Sequence, residues 1–149
     1  MTDDEHAAGA LARRCAEVMY AADEASRRLG IGIDQVEPGR AVARMAIDER
    51  MVNGHGIAHG GYLFTLADTA FAFACNTYGE TTVASAATIT FVAPARLGDV
   101  LEATATEQVR YGRNGVYDVT VRRGTETIAE FRGNSRMMGH RLLPDEEET

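Results

Sequence analysis

Residues 53–76 read Asn53-Gly54-His55-Gly56-Ile57-Ala58-His59-Gly60-Gly61-Tyr62-Leu63-Phe64-Thr65-Leu66-Ala67-Asp68-Thr69-Ala70-Phe71-Ala72-Phe73-Ala74-Cys75-Asn76. A glycine- and histidine-rich loop passes directly into an apolar segment. The segment from Gly60 to about Tyr78 is apolar nearly all round, which predicts a helix buried on most sides, with Gly79 as its C-cap. Asp68 is its one charged side chain. Burying a carboxylate is costly unless it is paired, hydrogen-bonded or neutralised. The loop before it offers free backbone N–H groups at a helix N-terminus, a setting that favours developing negative charge. A donor-rich helix start with a lone carboxylate further in suits hydrolysis of an acyl group.

Outward from this helix the pattern is mostly extended. Before it, residues 7–29 predict a helix, with Leu11, Cys15, Val18, Met19 and Ala22 at spacings of three and four and Gly30 as its stop. Ile31, Ile33 and Val36 predict a strand, and Glu37-Pro38-Gly39-Arg40 a hairpin turn. On the return strand Ala41, Ala43, Met45 and Ile47 alternate with Val42, Arg44 and Ala46. After the helix, Val83, Ser85, Ala87, Ile89 and Phe91 are expected on one face, with Ala84, Ala86, Thr88 and Thr90 on the other. Further strands are predicted over 99–111, 116–123 and 125–138. In the last, Ala129, Phe131, Ser135 and Met137 oppose Glu130, Arg132, Asn134 and Arg136. One-sided strands and an all-round apolar helix are both satisfied when a sheet curls around the helix. The fold class is therefore α+β: a hot-dog fold with an antiparallel sheet of five to six strands around a long central helix, plus an N-terminal helical extension.

The chain of 149 residues fits one domain over 1–149, with flexible tails expected at 1–9 and 140–149. A domain of this size buries roughly two-thirds of its unfolded surface, enough to fold without disulfides or a structural metal. The acidic run 144–149 is expected to be disordered. The net charge of −7 and the lack of a basic stripe argue against nucleic-acid binding. Cys15 and Cys75 read as reduced thiols. The N-terminus has no export-signal pattern, and no apolar run reaches membrane-spanning length. A cytoplasmic protein that does not insert in membranes is expected.

His59 to Asn76 resembles the signature of hot-dog acyl-CoA thioesterases of the phenylacetic-acid-degradation (PaaI) type. Val83–Phe91, Pro94–Asp99, Gly115–Asp118 and Phe131–Ser135 add to the likeness, which covers roughly residues 10–139. The resemblance implies hydrolysis of an acyl-CoA, phenylacetyl-CoA or a ring-hydroxylated derivative, to the free acid and CoA. It implies no cofactor, since coenzyme A belongs to the substrate. Residue by residue it places Asp68 as the catalytic carboxylate, Gly60 as the N–H that polarises the carbonyl, Asn53 as a site asparagine and His59 as the histidine before that glycine. Gly61, which adjoins the same donor, is expected among the substrate-binding residues. It further implies a homotetramer, a dimer of dimers, with active sites at the dimer interface. Relatives often carry lysine where this chain has Asn134, so Arg110, Arg113, Arg132 and Arg136 are candidates for the CoA phosphates.

Asp68 can serve as general base or as nucleophile, and Asn53 can hold either water or carbonyl. Other readings of the motif are weaker. The His55/His59 pair is interrupted by Gly56 and lacks the helical His-Glu-x-x-His pattern, so no metal site is expected. His59-Gly60-Gly61 is not followed by a Gly-x-Ser-x-Gly elbow, which sets serine esterases aside. A hot-dog hydratase or dehydratase, with its catalytic histidine in a proline-rich loop, and a non-catalytic acyl-CoA-binding protein are the alternatives.

Overall fold

A computed structural model describes residues 1–145. Its elements are α1 (Asp3–Ala22), α2 (Glu24–Arg28), β1 (Gly32–Glu37), β2 (Arg40–Ala46), α3 (Gly60–Cys75), β3 (Glu80–Phe91), β4 (Val100–Tyr111), β5 (Asn114–Arg123) and β6 (Glu126–Arg141). The six strands form one antiparallel sheet in the order β1-β2-β4-β5-β6-β3. The sheet curls about α3, which touches every strand. This is the hot-dog arrangement expected from the sequence.

The core follows from that wrapping. Leu66, Phe71 and Phe73 of α3 are buried against Met45, Leu101, Val119, Val121 and Phe131 of the strands. Full burial of each large apolar side chain contributes about 1.5–3 kcal/mol. Close approach needs a gap in the sheet. Gly133 provides it, because a Cβ there would lie 2.8 Å from the Phe71 ring.

α1 packs against β1, with Ala12 and Cys15 fully buried. Tyr20 donates its hydroxyl to the Ile31 carbonyl at 2.7 Å and meets Phe73 edge-on. Cys15 and Cys75 are both free thiols. Among the described residues no helix is long and apolar enough to cross a membrane.

Four boundaries depart from the sequence expectation. The first helix starts at Asp3, within the 1–9 stretch expected to be flexible. Thr2 and Glu5 form a reciprocal capping box there, and Asp3, Asp4 and Glu5 suit the positive end of the helix dipole. The expected 7–29 helix is two helices, because Asp23 caps a second one through Ser26. β6 runs to Arg141, opposite Glu80, so the described part of the expected 140–149 tail begins inside the sheet. Of the acidic run 144–149, residues 146–149 lie outside the described residues.

The fourth departure is the end of α3. The helix stops at Cys75, because the next residue is a buried asparagine that bridges two elements. Asn76 donates to the Ala72 carbonyl at 2.9 Å and the Thr82 carbonyl at 2.8 Å, and accepts the Thr82 N–H at 2.8 Å. Gly79, expected as the cap, instead takes a positive φ of 87° in the turn to β3.

The expected face assignment of β3 is corrected as well. A bulge between Ala84 and Ala86 shifts the register, so Ala87, Ile89 and Phe91 share the inner face with Thr82 and Ala84. Val83 turns outward and is 43% exposed.

Replacing Asn76 with alanine orphans two buried backbone groups of Thr82, each worth about 1–3 kcal/mol. Urea unfolding of Asn76→Ala is expected to show a loss of about 2–5 kcal/mol. A loss below about 1 kcal/mol would refute Asn76 as the clamp between α3 and β3.

Candidate active site

The loop from Met51 to His59 is held to the body by backbone bonds. Ala58 donates to the Ala95 carbonyl, His59 to that of Met51, and Leu97 donates to that of Gly56. Asn53 organises the loop from within. Its Oδ1 accepts the N–H groups of His55 (2.9 Å) and Ile57 (3.1 Å). The acceptor end of the carboxamide is thus occupied by the loop, and the Nδ2 amide of this exposed side chain faces outward without a protein partner among the described residues.

The loop delivers the chain to α3 at His59, an exposed N-cap whose imidazole makes no capping bond. Tyr62 N–H returns to the His59 carbonyl. Among the described residues, the N–H groups of Gly60 and Gly61 have no acceptor. The Phe91 ring lies directly on Gly60, where a Cβ would come within 2.6 Å of it. Beside these donors a groove of about 400 Å³ is lined by Ile57, Ala58, Leu63, Phe91 and Pro94. It is apolar and opens at Gly60. Phe91, expected on one strand face with Ala87 and Ile89, is 53% exposed here. Sequence reasoning missed the groove, because its walls come from two segments about thirty residues apart.

Asp68 sits eight residues further along α3. Gly61, Thr65, Asp68 and Ala72 follow helical spacing and form a stripe of α3 that is not buried; Gly60, Tyr62 and Phe64 near the helix start are part-buried as well. Asp68 is half-buried, and no hydrogen bond or ion pair reaches its carboxylate among the described residues. Burial raises its pKa above the ordinary carboxylate value. At 1.5 Å per residue, Gly60 and Asp68 of one chain are about 12 Å apart along the helix axis. One chain alone therefore does not bring both to a single carbonyl.

The candidate arginines separate into two groups. Arg110 stacks on the Tyr78 ring at 3.6 Å and pairs with Glu107 at 3.2 Å. Glu107 Oε1 also accepts the hydroxyls of Tyr78 and the buried Tyr117, both at 2.9 Å. This cluster lies beyond the C-terminus of α3, at the end remote from Gly60. Arg132 makes a two-bonded pair with Asp118 (2.7 and 2.9 Å). Arg113 and Arg136 have no carboxylate partner among the described residues. Neither histidine joins a metal-type cluster: among the described residues no three His, Cys, Asp or Glu side chains gather in that way.

Compared with known families, residues 55–130 match the family described as Thioesterase superfamily. The chain belongs to this superfamily. The matched interval holds His59, Gly60, Gly61, Asp68, Arg110 and Arg113, and leaves Asn53, Arg132 and Arg136 outside. The chain is similar to the acyl-coenzyme A thioesterase PaaI of Escherichia coli (strain K12), 46% identical over 125 residues, 83% of this chain and 89% of the relative. Its fold resembles the solved structure of the E. coli PaaI protein from the phenylacetic acid degradation operon. The TM-score is 0.87 at 43% identity, over 89% of this chain and 97% of that one. A mutant of the phenylacetic acid degradation protein PaaI from Thermus thermophilus is similar at TM-score 0.74 and 34% identity, over 76% of this chain and 98% of that one.

The unpartnered carboxylate has a consequence for stability. A group whose folded pKa is raised favours the folded state most when protonated. That contribution is lost as pH rises through the folded pKa. Asp68→Asn is therefore expected to raise Tm at about pH 7 and to do so less at about pH 4. A variant that melts lower than wild type at the higher pH would contradict an unpaired, desolvated Asp68.

Proposed function

We propose that this chain hydrolyses acyl-CoA thioesters, with phenylacetyl-CoA or ring-hydroxylated phenylacetyl-CoA as substrate, in a site built from two copies of the chain. The carrying observation is the pair of acceptor-free N–H groups at Gly60 and Gly61 beside an apolar groove. Similarity to the E. coli acyl-CoA thioesterase supports the same reading.

The chemistry follows from charge. In the transition state the thioester carbonyl oxygen becomes an oxyanion. A positioned backbone N–H at the start of α3 stabilises it, and a single donor of this kind is typically worth about 3–4 kcal/mol. The acyl group occupies the groove beside Phe91. Asp68 either takes a proton from the attacking water or attacks the carbonyl itself, giving a mixed anhydride that water then opens. Both routes need the ionised carboxylate and release the CoA thiol. The Asn53 amide is left as a donor, so in this reading it orients a carbonyl or water oxygen. His59 shapes the approach to the donors.

The two-copy site answers the separation of about 12 Å between Gly60 and Asp68. β3 is a twelve-residue strand at the sheet edge, with one side unpaired among the described residues. Such an edge is a template for pairing with another chain. Pairing along β3 brings the open stripe of one α3 toward the helix start of the other, and two such dimers complete the tetramer.

Thiol release measured over phenylacetyl-, hydroxyphenylacetyl-, benzoyl- and hexanoyl-CoA tests the activity. Release should peak on the phenylacetyl compounds, and Asp68→Asn should lower kcat by more than about a hundredfold. No release from any member favours the hydratase or binding-protein alternatives, and a peak on hexanoyl-CoA removes the aromatic substrate.

Subunit mixing tests the shared site. Gly60→Pro removes the N–H at a helix position that tolerates proline, and a Phe91→Ala background gives the ring room. Mixing this inactive protein with inactive Asp68→Asn leaves one intact site per heterodimer. The intact site takes Gly60 and an unchanged Phe91 from the Asp68→Asn chain, so random association is expected to restore roughly a quarter of the wild-type activity. No recovery would place both groups in one chain's site.

A further inference from the structure

A second pocket, of about 370 Å³, lies beyond the C-terminal end of α3, between α1 and the end of β6. Leu11 and Arg14 form one wall, Tyr78 to Glu80 the floor, and Gly139 to Arg141 the other wall. It is separated from Gly60 by the whole length of α3, about 24 Å.

Two arginines, Arg14 and Arg141, line it. The chain carries a net charge of −7, and all fifteen of its lysine-plus-arginine residues are arginine. Seven of them pair with carboxylates outside the pocket: Arg27 and Arg28 with Glu24, Arg44 with Asp34, Arg50 with Asp48, Arg110 with Glu107, Arg123 with Asp99 and Glu126, and Arg132 with Asp118, while Arg13, Arg40, Arg96, Arg122 and Arg136 form no ion pair among the described residues. At this pocket Arg14 has no carboxylate partner among the described residues. Arg141 has only a 3.4 Å contact with the exposed Asp145. The Arg113 guanidinium lies over Gly139, and His140 also lines the pocket. Glu80 is the one carboxylate on the wall. It is opposite Arg141 in the strand register but forms no ion pair with it.

Two arginines face one carboxylate in this concave site, an excess that favours anions, and the planar guanidinium matches phosphate oxygens in pairs. We propose that this pocket binds a phosphate monoester, with Arg14 and Arg141 as its principal contacts. Two sources carry that chemistry: a free phosphorylated effector, or the phosphorylated nucleotide end of the CoA substrate. Only the second rests on the function proposed above.

Calorimetric titration of the intact oligomer with adenosine 3′,5′-bisphosphate, inorganic phosphate and adenosine tests the pocket. It needs no turnover, so it is read independently of the thioesterase assignment. The bisphosphate should bind saturably and adenosine should not. Arg14→Gln/Arg141→Gln should weaken binding by at least about tenfold, while Arg50→Gln, distant from the pocket, leaves it unchanged. The single Arg14→Gln serves where the double variant does not fold. Given that loss, a raised KM for acyl-CoA at unchanged kcat assigns the anion to the substrate, and an unchanged KM assigns it to a separate effector. Equal affinity in wild type and variants, or no saturable binding by either phosphate compound, overturns the proposal.

Discussion

The rise of an α-helix, about 1.5 Å per residue, governs most of what this molecule can do. It puts the donors at Gly60 and the carboxylate of Asp68 on one rigid rod, about 12 Å from each other. A longer loop or a different rotamer cannot close that interval, because α3 is clamped along its length by six strands. In the function proposed above, the helix therefore supplies two half-sites rather than one site. Among the described residues β3 leaves one sheet edge unpaired, the edge at which the proposed second copy joins.

The fold also accounts for the character of each half-site. A helix at the centre of a curled sheet has little surface left for polar groups, and Asp68 lies on the part-exposed Gly61–Thr65–Asp68–Ala72 stripe. A carboxylate placed there is desolvated without being sealed off, which raises its pKa and makes it a stronger base. Desolvation without a partner destabilises the folded chain, and the catalytic role proposed for Asp68 is a compensating reason to keep an aspartate at that place. At the helix start the logic is reversed. Glycine exposes the N–H groups, and the Phe91 ring takes the volume that a side chain would fill.

Much of this was legible in the sequence, for local reasons. The apolar run around Asp68, the alternation in β2 and β6 and the Pro38-Gly39 turn are signals carried by neighbouring residues. Thr2 and Glu5 were equally local, a capping box overlooked in an acidic run. The β3 bulge was not legible, since Ala84, Ser85 and Ala86 are nearly interchangeable by pattern and only pairing with β6 decides which residue is extra. The end of α3 depended on Asn76 finding Thr82 across a turn, a tertiary contact. At the candidate site, Asp68 and Gly60 stood out by contrast with their surroundings. The groove beside Phe91 and the Glu107 cluster with Tyr78 and Tyr117 did not, because each is assembled from separate segments.

The Asn76 clamp has one more implication. By tying the end of α3 to the first residues of β3, it makes helix and edge strand a single mechanical piece. In a dimer joined along β3, the strand register acts as a vernier scale for catalysis. Sliding the joint by one two-residue step, about 6.6 Å, carries each Asp68 the same distance past the opposing Gly60. Half-sites that meet in one register are separated in the next, so contacts along β3 that touch no substrate set the alignment of the reacting groups.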